Sequence, residues 1–547
     1  MKKIIAFFAL VIALASCKKS ELQLADPVSP VPSLGLASVK GVEQFALGMW
    51  NKLYVGNNLL VHSLEIHSIM GDEQWASAGN FGWRYANQVD KITLPAPYNT
   101  VVPSVLGLSQ PAQLKALNNL AATNGSQTNV IVYEWNMAYF IIGQTTVLLE
   151  AIDNPALTIP ANEKATLKAW AYWWRGFAYS RIGSMYLAGV INDKFDGTTS
   201  NKYVTHDAII VEANANFDKV IALLTPIPAG DAVYTATVNA IIPLFNNNAA
   251  VSGITPAMWV RECNTYKARN IMVNKKVTAM TAADWTTVKT LATAGLIPGD
   301  NVLQLGMAAD GKEDLTPNVQ QHVYGWNSFN NNPGWLFPSE RWVQDFKTGD
   351  ARFTNGVKSL PAASVEVNRT SRGLQFGGRY YFNQIENGGY WSTDNKKGQV
   401  KFAGSWEENA LMLAEANIRT GAIEAGLAFI DQVRVANGAG LPATVGAGLT
   451  LPQALEELRR ERRIALTLRG LAFYDARRWN VTAPASAGGG RANANILVPN
   501  SMIGATPAGS WTLLPCFMEY NYLDYFDVPV TEFSYNAPAA GGPVIAN

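Results

Sequence analysis

The stretch from Thr450 to Trp479, TLPQALEELRRERRIALTLRGLAFYDARRW, constrains the fold more than any other part of this 547-residue chain. Thr450 followed three residues later by Gln453 predicts a capping box, and Pro452 falls in the first helical turn, where its missing N–H removes no hydrogen bond. At about 100° per residue, one broad face of the predicted helix is apolar. It contains Leu451, Ala454, Leu455, Leu458, Ala465, Leu466 and Leu468.

Two opposite charges, Glu461 and Arg462, fall on that apolar face. Three other arginines are expected on the opposite side: Arg459, Arg460 and Arg463. Charges that face a packed interior persist only when each finds a partner and hydrogen bonds. The expected partners follow just after Gly470: Asp475, Arg477 and Arg478. We therefore predict buried structural ion pairs formed by Glu461, Arg462, Asp475 and Arg478.

A solvated basic helix that binds nucleic acid is the alternative interpretation of these arginines. Clustered apolar residues interrupt the basic run, and the whole chain has a formal net charge of +1. Phosphate binding requires a basic excess that this chain does not have. We expect no nucleic-acid partner.

The order ERR…L…G…FxDxRRW within this stretch resembles the C-terminal signature of the SusD/RagB family, glycan-capturing outer-membrane lipoproteins of certain Gram-negative bacteria. Looser matches follow in the expected order: GDE at 71–73, the run 135–149, AYWWRGFAY at 171–179, FKTGDAR at 346–352, MLAEANIRTG at 412–421 and VPVTEFSYN at 528–536. AYWWRGFAY is more aromatic than the usual family sequence there. The resemblance implies a tetratricopeptide-like fold that acts as a lid on a TonB-dependent outer-membrane barrel (SusC/RagA-like) and hands it oligosaccharides.

The first 17 residues, MKKIIAFFALVIALASC, have the pattern of a lipoprotein signal peptide. Two lysines precede about a dozen apolar residues, fewer than the roughly 20 that span a bilayer. The segment ends in a lipobox, so we predict that residues 1–16 are removed and that Cys17 is lipidated. The residue after Cys17 is Lys18 and not Asp, which disfavours retention at the inner membrane. Glu21 is the one acidic residue near Cys17 that could belong to a surface-export tag. We expect a lipid-anchored protein of the outer membrane, exposed at the cell surface.

Residues 17–35 follow as a tether with three prolines. No later composition break resembles a linker, so residues 36–547 are predicted to form a single domain. Cys263 and Cys516 are the other cysteines, and separate burial is the expected state of two cysteines so far apart in sequence.

Amphipathic helices recur along the body. The expected segments are 36–55, 130–153, 162–187, 206–224, 281–294, 407–419 and 423–435. The spacings Ala213-x3-Phe217 and Ala425-x3-Phe429 echo the small-then-large packing of tetratricopeptide repeats. These patterns predict an all-α, mainly helical fold: a tetratricopeptide-like solenoid with long loop-rich insertions and few short strands.

Glycan binding needs flat aromatic faces beside amides, carboxylates or guanidinium groups. Two loop-like segments offer both: Trp75–Tyr85 (WASAGNFGWRY) and 324–337 (YGWNSFNNNPGWLF). A third Gly-aromatic run, 377–391, is a further candidate. The predicted ligand-binding residues are Trp75, Phe81, Trp83, Tyr85, Trp326, Phe329 and Trp335. The alternative is that these rings pin their loops to the body.

Signatures of catalysis are missing from the sequence. There are four histidines, and His62 and His67 are five residues apart, which gives no H-E-x-x-H zinc face. No nucleophile elbow, Walker A loop or dinucleotide fingerprint occurs. The adjacent acids Asp72 and Glu73 fall in the family's GDE turn, where a structural role is expected.

The sequence therefore predicts a non-enzymatic lipoprotein, without a metal or cofactor, that binds an oligosaccharide or a similar nutrient and delivers it to a TonB-dependent transporter. Two alternatives remain open at this point. One is an all-helical glycan-degrading enzyme with two carboxylates across an aromatic cleft. The other is a mechanical lid subunit with little ligand affinity. The identity of the cargo and any binding of calcium are left undecided by the sequence.

Overall fold

The computed structural model describes residues 35–49, 59–77, 86–87, 89–104, 110–119, 130–192, 194, 200–242, 253–300, 302–303, 305–308, 336–360, 366–367, 377–382 and 397–547. The predicted signal peptide, Cys17 and nearly all of the tether lie outside these ranges. So do six of the seven aromatic residues predicted to bind ligand: Phe81, Trp83, Tyr85, Trp326, Phe329 and Trp335.

Helices make up most of the described chain. Their bounds are α1 Val39–Gly48, α2 Leu59–Met70, α3 Gln110–Asn119, α4 Val130–Ile152, α5 Ala161–Met185, α6 His206–Leu224, α7 Ala232–Ile241, α8 Pro256–Val273, α9 Ala282–Thr293, α10 Glu340–Val343, α11 Ala351–Gly356, α12 Trp406–Arg419, α13 Ile423–Ala436, α14 Leu451–Ala465, α15 Ala472–Arg478, α16 Asn500–Ile503 and α17 Val530–Tyr535. Two 3₁₀ turns cover Val277–Ala279 and Ala485–Ala487.

The strands are mostly two to four residues long. Their bounds are β1 Gln74–Ala76, β2 Lys91–Thr93, β3 Val101–Pro103, β4 Ala188–Val190, β5 Tyr203–Thr205, β6 Leu305–Ala308, β7 Leu336–Pro338, β8 Val357–Ser359, β9 Glu366–Val367, β10 Gly377–Gly378, β11 Tyr380–Phe382, β12 Lys397–Val400, β13 Arg491–Pro499 and β14 Trp511–Glu519. Five antiparallel pairs stand alone: β1–β7, β4–β5, β6–β12, β8–β11 and β9–β10.

Local sequence sets the helix ends. Thr450 and Gln453 form the predicted capping box, with Pro452 in the first turn of α14. Thr281 and Asp284 cap α9 in the same way. Gly421 follows the end of α12 with φ +92°, a left-handed conformation that glycine adopts without a steric penalty. The chain then turns directly into α13.

The long helix α5 lies between α4 and α6 and carries a cluster of aromatic rings in contact with one another. Trp170, Trp173 and Trp174 are all at most 1% exposed. A Cβ at Gly176 would lie 2.7 Å from the ring of Phe217 on α6, so glycine is what permits this close helix approach. The aromatic AYWWRGFAY segment therefore fills the core between helices.

Successive helices pack on one another in chain order. α6 packs on α8, α8 on α9, α9 on α12, α12 on α13 and α13 on α14. The connections α8–α9 and α12–α13 are short and give helical hairpins, whereas residues 294–405 separate α9 from α12. Stacked in this series, the helices form a solenoid. The predicted fold class, a mainly helical tetratricopeptide-like solenoid with few short strands, is confirmed.

A four-stranded antiparallel sheet, in the order β13-β14-β2-β3, was not predicted. Its two long strands, β13 and β14, are nine residues each and pair from Arg491 opposite Met518 to Pro499 opposite Trp511. Ile496 and Met518 on these strands belong to the main hydrophobic core. That core extends along the sequence from Val42 to Val528. A single domain over residues 36–547 remains a prediction.

Cys263 and Cys516 are both buried and free, so the expected separate burial is confirmed. Cys263 lies on α8 and Cys516 on β14. Each side chain packs in the main core as a small apolar group.

Candidate functional site

Two of the predicted ligand-binding segments meet at the β1–β7 ladder. Trp75 is paired with Phe337, and Ala76 with Leu336. Because the strands are antiparallel, the chain that follows Ala76 and the chain that precedes Leu336 leave the ladder at the same end. These are the segments that the sequence singled out, 75–85 and 324–337.

Asn87 closes the first segment. The amide N–H of Ala76 donates to Oδ1 of Asn87 at 3.0 Å, and Nδ2 of Asn87 donates to the carbonyl of Ala76 at 3.2 Å. The two hydrogen bonds hold the start and the end of the intervening loop together. Sequence reasoning missed this contact, because Asn87 looks there like one more polar loop residue.

The third Gly-aromatic run also begins at this ladder. A Cβ at Gly378 would lie 2.6 Å from Nε1 of Trp75, so the strand β10 approaches the indole closely only because it carries glycine. We call the meeting point of the three segments the loop junction; it comprises Trp75, Ala76, Leu336, Phe337, Gly377 and Gly378.

Trp75 itself is buried, with an exposed fraction of 1%. Its ring stacks on Phe337 with the centroids 5.3 Å apart and the planes 24° from parallel. Phe337 stacks on the indole, Gly378 lies against its Nε1 edge, and the burial of the ring leaves almost no surface for a ligand. The prediction that Trp75 stacks on a sugar is corrected here: the residue packs inside the loop junction and supports it.

The GDE turn immediately before β1 is held by buried charges. Asp72 has φ +60° and pairs with Arg341, Nη2 to Oδ1, at 2.7 Å. The hydroxyl of Tyr520 donates to Oδ2 of Asp72 at 2.7 Å. Burial alone would raise the pKa of Asp72, but the charge and hydrogen bonds of Arg341 outweigh it and hold that pKa below its usual range. The turn has the structural role expected for it.

Glu73 connects the same turn to three other parts of the chain. Oε2 of Glu73 accepts from Oγ of Ser68 at 2.9 Å and from the amide of Leu468 at 3.1 Å. Its backbone carbonyl accepts from the amide of Ser339, directly after β7, at 2.8 Å. Burial raises the pKa of Glu73 to about 7. Both strands of the ladder are thereby fixed to the helical body.

Arg463 joins α14 to the GDE turn. Its Nη1 donates to the carbonyl of Gly71 at 2.7 Å, its Nη2 to the carbonyl of Asp72 at 2.8 Å, and its Nε to Asp345 at 2.5 Å. Arg463 was predicted to point away from the core, and this is wrong: it is 5% exposed. The reason is that the last turns of α14 are covered all round, so residues 461–465 are all buried.

The partners of Glu461 and Arg462 differ from each other. Arg462 pairs with Asp475 through Nε at 2.8 Å, within the motif where its partner was sought. Glu461 instead accepts from Arg352 at 2.6 Å and from Arg434 at 3.0 Å. Arg352 belongs to the FKTGDAR segment, more than 100 residues earlier, so a search downstream of the helix missed it.

Arg478 completes the set of charges predicted for this helix region. Its Nε donates to Asp475 at 2.7 Å, and its Nη2 donates to Glu415 at 2.6 Å. Burial opposes ionisation of Glu415, but the nearby Arg478 lowers the pKa of Glu415 to about 2. These charges fix α12, α14 and α15 to one another.

No group of three or more His, Cys, Asp or Glu side chains suited to a metal ion occurs among the residues that the structure describes. Within the same ranges, none of the helices has the length and apolar character needed to cross a membrane.

Solved structures share this fold. A SusD-like protein from Bacteroides fragilis NCTC 9343 aligns with a TM-score of 0.56 at 13% identity, over 94% of this chain and 97% of that one. A SusD-like carbohydrate-binding protein from Bacteroides vulgatus ATCC 8482 aligns with a TM-score of 0.54 at 14% identity, over 93% and 98%. A protein described as a sugar-binding protein from the same organism aligns with a TM-score of 0.53 at 14% identity, over 93% and 99%. The chain therefore has the SusD-like fold over nearly its whole length.

Sequence comparison adds nothing to this likeness. No protein-family model matches the chain, and no curated protein matches it.

Proposed function

We propose that this protein is a lipid-anchored SusD-like receptor of the outer membrane that captures an oligosaccharide at the loop junction and delivers it to a TonB-dependent barrel. The observation that carries the proposal is the pairing of Trp75 with Phe337. It joins two segments that stand far apart in sequence, at residues 75 and 337, and that were each singled out for ring faces beside amide and guanidinium groups.

The candidate rings stand close in sequence to residues of the ladder. Trp83 comes four residues before Asn87, which is hydrogen-bonded to Ala76. Trp335 is bonded directly to Leu336 of the ladder. Sugar stacking requires ring faces beside polar groups, and both segments carry them in sequence, so the proposal places capture where the two segments start.

The rigidity of the base supports the same proposal. Buried ion pairs and hydrogen bonds of Asp72, Glu73 and Arg463 fix the turn from which the first segment starts. A binding loop on a rigid base loses less conformational freedom when it closes on a ligand. The fold is also that of solved proteins described as carbohydrate-binding.

Anchoring and delivery form the second part of the proposal. The lipobox ending in Cys17 supplies a membrane anchor, and the tether to residue 35 supplies reach. Cys17→Ser should move the protein from the membrane fraction to the soluble fraction of its host. A barrel of the TonB-dependent class should copurify with the lipidated protein.

The test of capture is a calorimetric screen of the mature protein against neutral and acidic oligosaccharides, with product analysis of each mixture. Binding without turnover supports the proposal. Cleavage of a glycan would select the enzyme alternative. Absence of glycan binding together with retained barrel association would select the mechanical lid.

A further inference from the structure

An apolar cleft lies beside α13, away from the loop junction. It has a volume of about 570 Å³, which lies within the range of small-ligand sites. Four parts of the chain contribute to it: α13, the loop that follows α13, the start of α12 and the turn after α9. The lining residues used below are Pro298, Trp406, Ala428, Asp431, Val435 and Val445.

Helix α13 is apolar on two sides. Leu427 and Ile430 pack in the main core. Ala428, Val435 and Ala436, at positions i, i+7 and i+8, form a separate stripe along the cleft. Val435 is 80% exposed, so this second apolar side is left at the surface of the protein.

The loop after α13 is fixed against the helix. The amide of Thr444 donates to both carboxylate oxygens of Asp431, at 2.9 and 2.8 Å, and the amide of Val445 donates to Oδ2 at 3.0 Å. One residue further on, the amide of Gly446 donates to Glu424 at 2.8 Å. These bonds hold the side chain of Val445 at the cleft, and they use the one carboxylate of the lining within the protein.

The remaining two contributions are also held in place. The amide of Ile297, next to Pro298, donates to Oδ2 of Asp300 at 3.0 Å. Arg261 pairs with Asp300 through Nε at 2.6 Å and so anchors this turn on α8. Trp406 is the first residue of α12 and is 5% exposed. The cleft is therefore formed before a ligand arrives, which lowers the entropic cost of binding.

The chemistry of the lining limits what can bind. None of the residues that the structure places along the cleft is a lysine, arginine or histidine, so an anion finds no opposite charge there. Gln432 adds one amide, too little for the many hydroxyls of a sugar. The lining has eight residues, whereas a stable protein interface takes about 20–30 residues on each side. A small apolar molecule fits these conditions better than a glycan or a partner protein.

We infer that this cleft binds a small uncharged ligand that presents an apolar ring or chain. The ligand would pack on Val435, Val445 and Trp406, and burial of its apolar surface would supply the affinity. The inference does not depend on glycan capture, because no residue of the loop junction lines the cleft.

The test titrates N-phenyl-1-naphthylamine, an uncharged fluorescent compound, into the mature protein. It should bind with a stoichiometry of one. The analogue 8-anilino-1-naphthalenesulfonate has the same rings and a negative charge, and it should bind at least about threefold more weakly, since nothing in the lining offsets desolvation of the sulfonate. Absence of binding by the uncharged compound, or tighter binding of the sulfonate, would overturn the inference.

Variants locate the site. Val435→Asp and Val445→Asp should each weaken binding of the uncharged compound about tenfold, because each places a charge in the apolar lining. Both side chains are exposed, so the melting temperature should stay nearly unchanged. Val211→Asp is the matched control: that valine is 69% exposed on α6, outside the cleft, and its variant should bind like the wild type.

Two results would contradict this location. Wild-type affinity in both cleft variants would show that the compound binds elsewhere. A protein that binds no compound but self-associates with rising concentration, and loses that association in Val435→Asp, would show that the cleft is a contact between copies of the chain. Sedimentation velocity of the wild type and Val435→Asp measures this.

Discussion

Arg463 donates hydrogen bonds to the carbonyls of both Gly71 and Asp72, nearly 400 residues earlier in the chain. One guanidinium thereby joins the C-terminal helix signature to the turn from which the first aromatic segment starts. The charges of α14 are part of the base of the candidate site as well as of the core.

Arg463→Ala should lower the free energy of unfolding by about 3–5 kcal/mol, because the buried carbonyl of Gly71 loses its donor, the carbonyl of Asp72 is left with the Ser339 hydroxyl, and Asp345 loses a charged partner. Urea unfolding followed by circular dichroism measures this. Arg463→Lys is the control, because it keeps the charge but loses the forked guanidinium. Its free energy of unfolding should lie between those of the wild type and Arg463→Ala. Wild-type stability in Arg463→Ala would show that these bonds contribute nothing.

Arg462→Ala should cost about 3–5 kcal/mol of stability, because Asp475 would then keep only Arg478 as a charged partner in a buried site. Arg460 is the matched residue on the exposed side of the same helix, and it pairs with Glu456 in a bond that is open to solvent. Arg460→Ala should change stability by about 0.5 kcal/mol or less. Similar losses in the two variants would contradict the buried ion-pair assignment.

Trp83→Ala and Trp326→Ala should each lower glycan affinity by about 1–3 kcal/mol and leave the melting temperature nearly unchanged. Trp75→Ala should instead lower stability, by about 3–5 kcal/mol, because it opens a cavity in the loop junction. Calorimetry and thermal unfolding on the same samples separate the two effects. Tyr535→Ala is the control, since that ring is 93% exposed on α17. Glycan binding by both loop variants at wild-type affinity would place the site elsewhere.

Glu262 gives a pH dependence of stability. Burial raises its pKa from 4.5 to about 8, against the amide of Gly404 and the charge of Arg269, which lower it. The folded state therefore holds a proton that the unfolded state releases above pH 4.5, so stability falls as the pH rises from about 4.5 to 8. Glu262→Gln should remove this part of the fall, with Glu73 still contributing in the same direction. Melting temperatures of the wild type and Glu262→Gln at pH 5 and pH 8 test this prediction. A difference between the two melting temperatures that does not increase from pH 5 to pH 8 would refute the assignment.

Local patterns predicted the elements that local sequence determines. The capping box at Thr450 and the bounds of α4 and α6 depend on residues within a few positions of one another. The pair between Arg462 and Asp475 was accessible for the same reason, since both residues stand in one motif.

Non-local pairing was the part that sequence reasoning missed. The burial of Trp75 results from a strand around Phe337, and the charge of Glu461 is met by Arg352. Neither of these two pairings is indicated by a periodic pattern in the sequence. Pro515 in β14 argues against a central strand, because proline cannot donate to a neighbouring strand. In the structure β2 pairs with β14 only from Phe517 onward, so β13 is the one strand beside Pro515.

The two hydrogen bonds between Ala76 and Asn87 have an evolutionary consequence. They fix the separation of the two ends of the loop whatever residues stand between them. A change of length or composition inside that loop leaves the geometry of its attachment unaltered. Under the proposed function, exchange of this one short segment would therefore alter cargo preference while the helical scaffold stays the same.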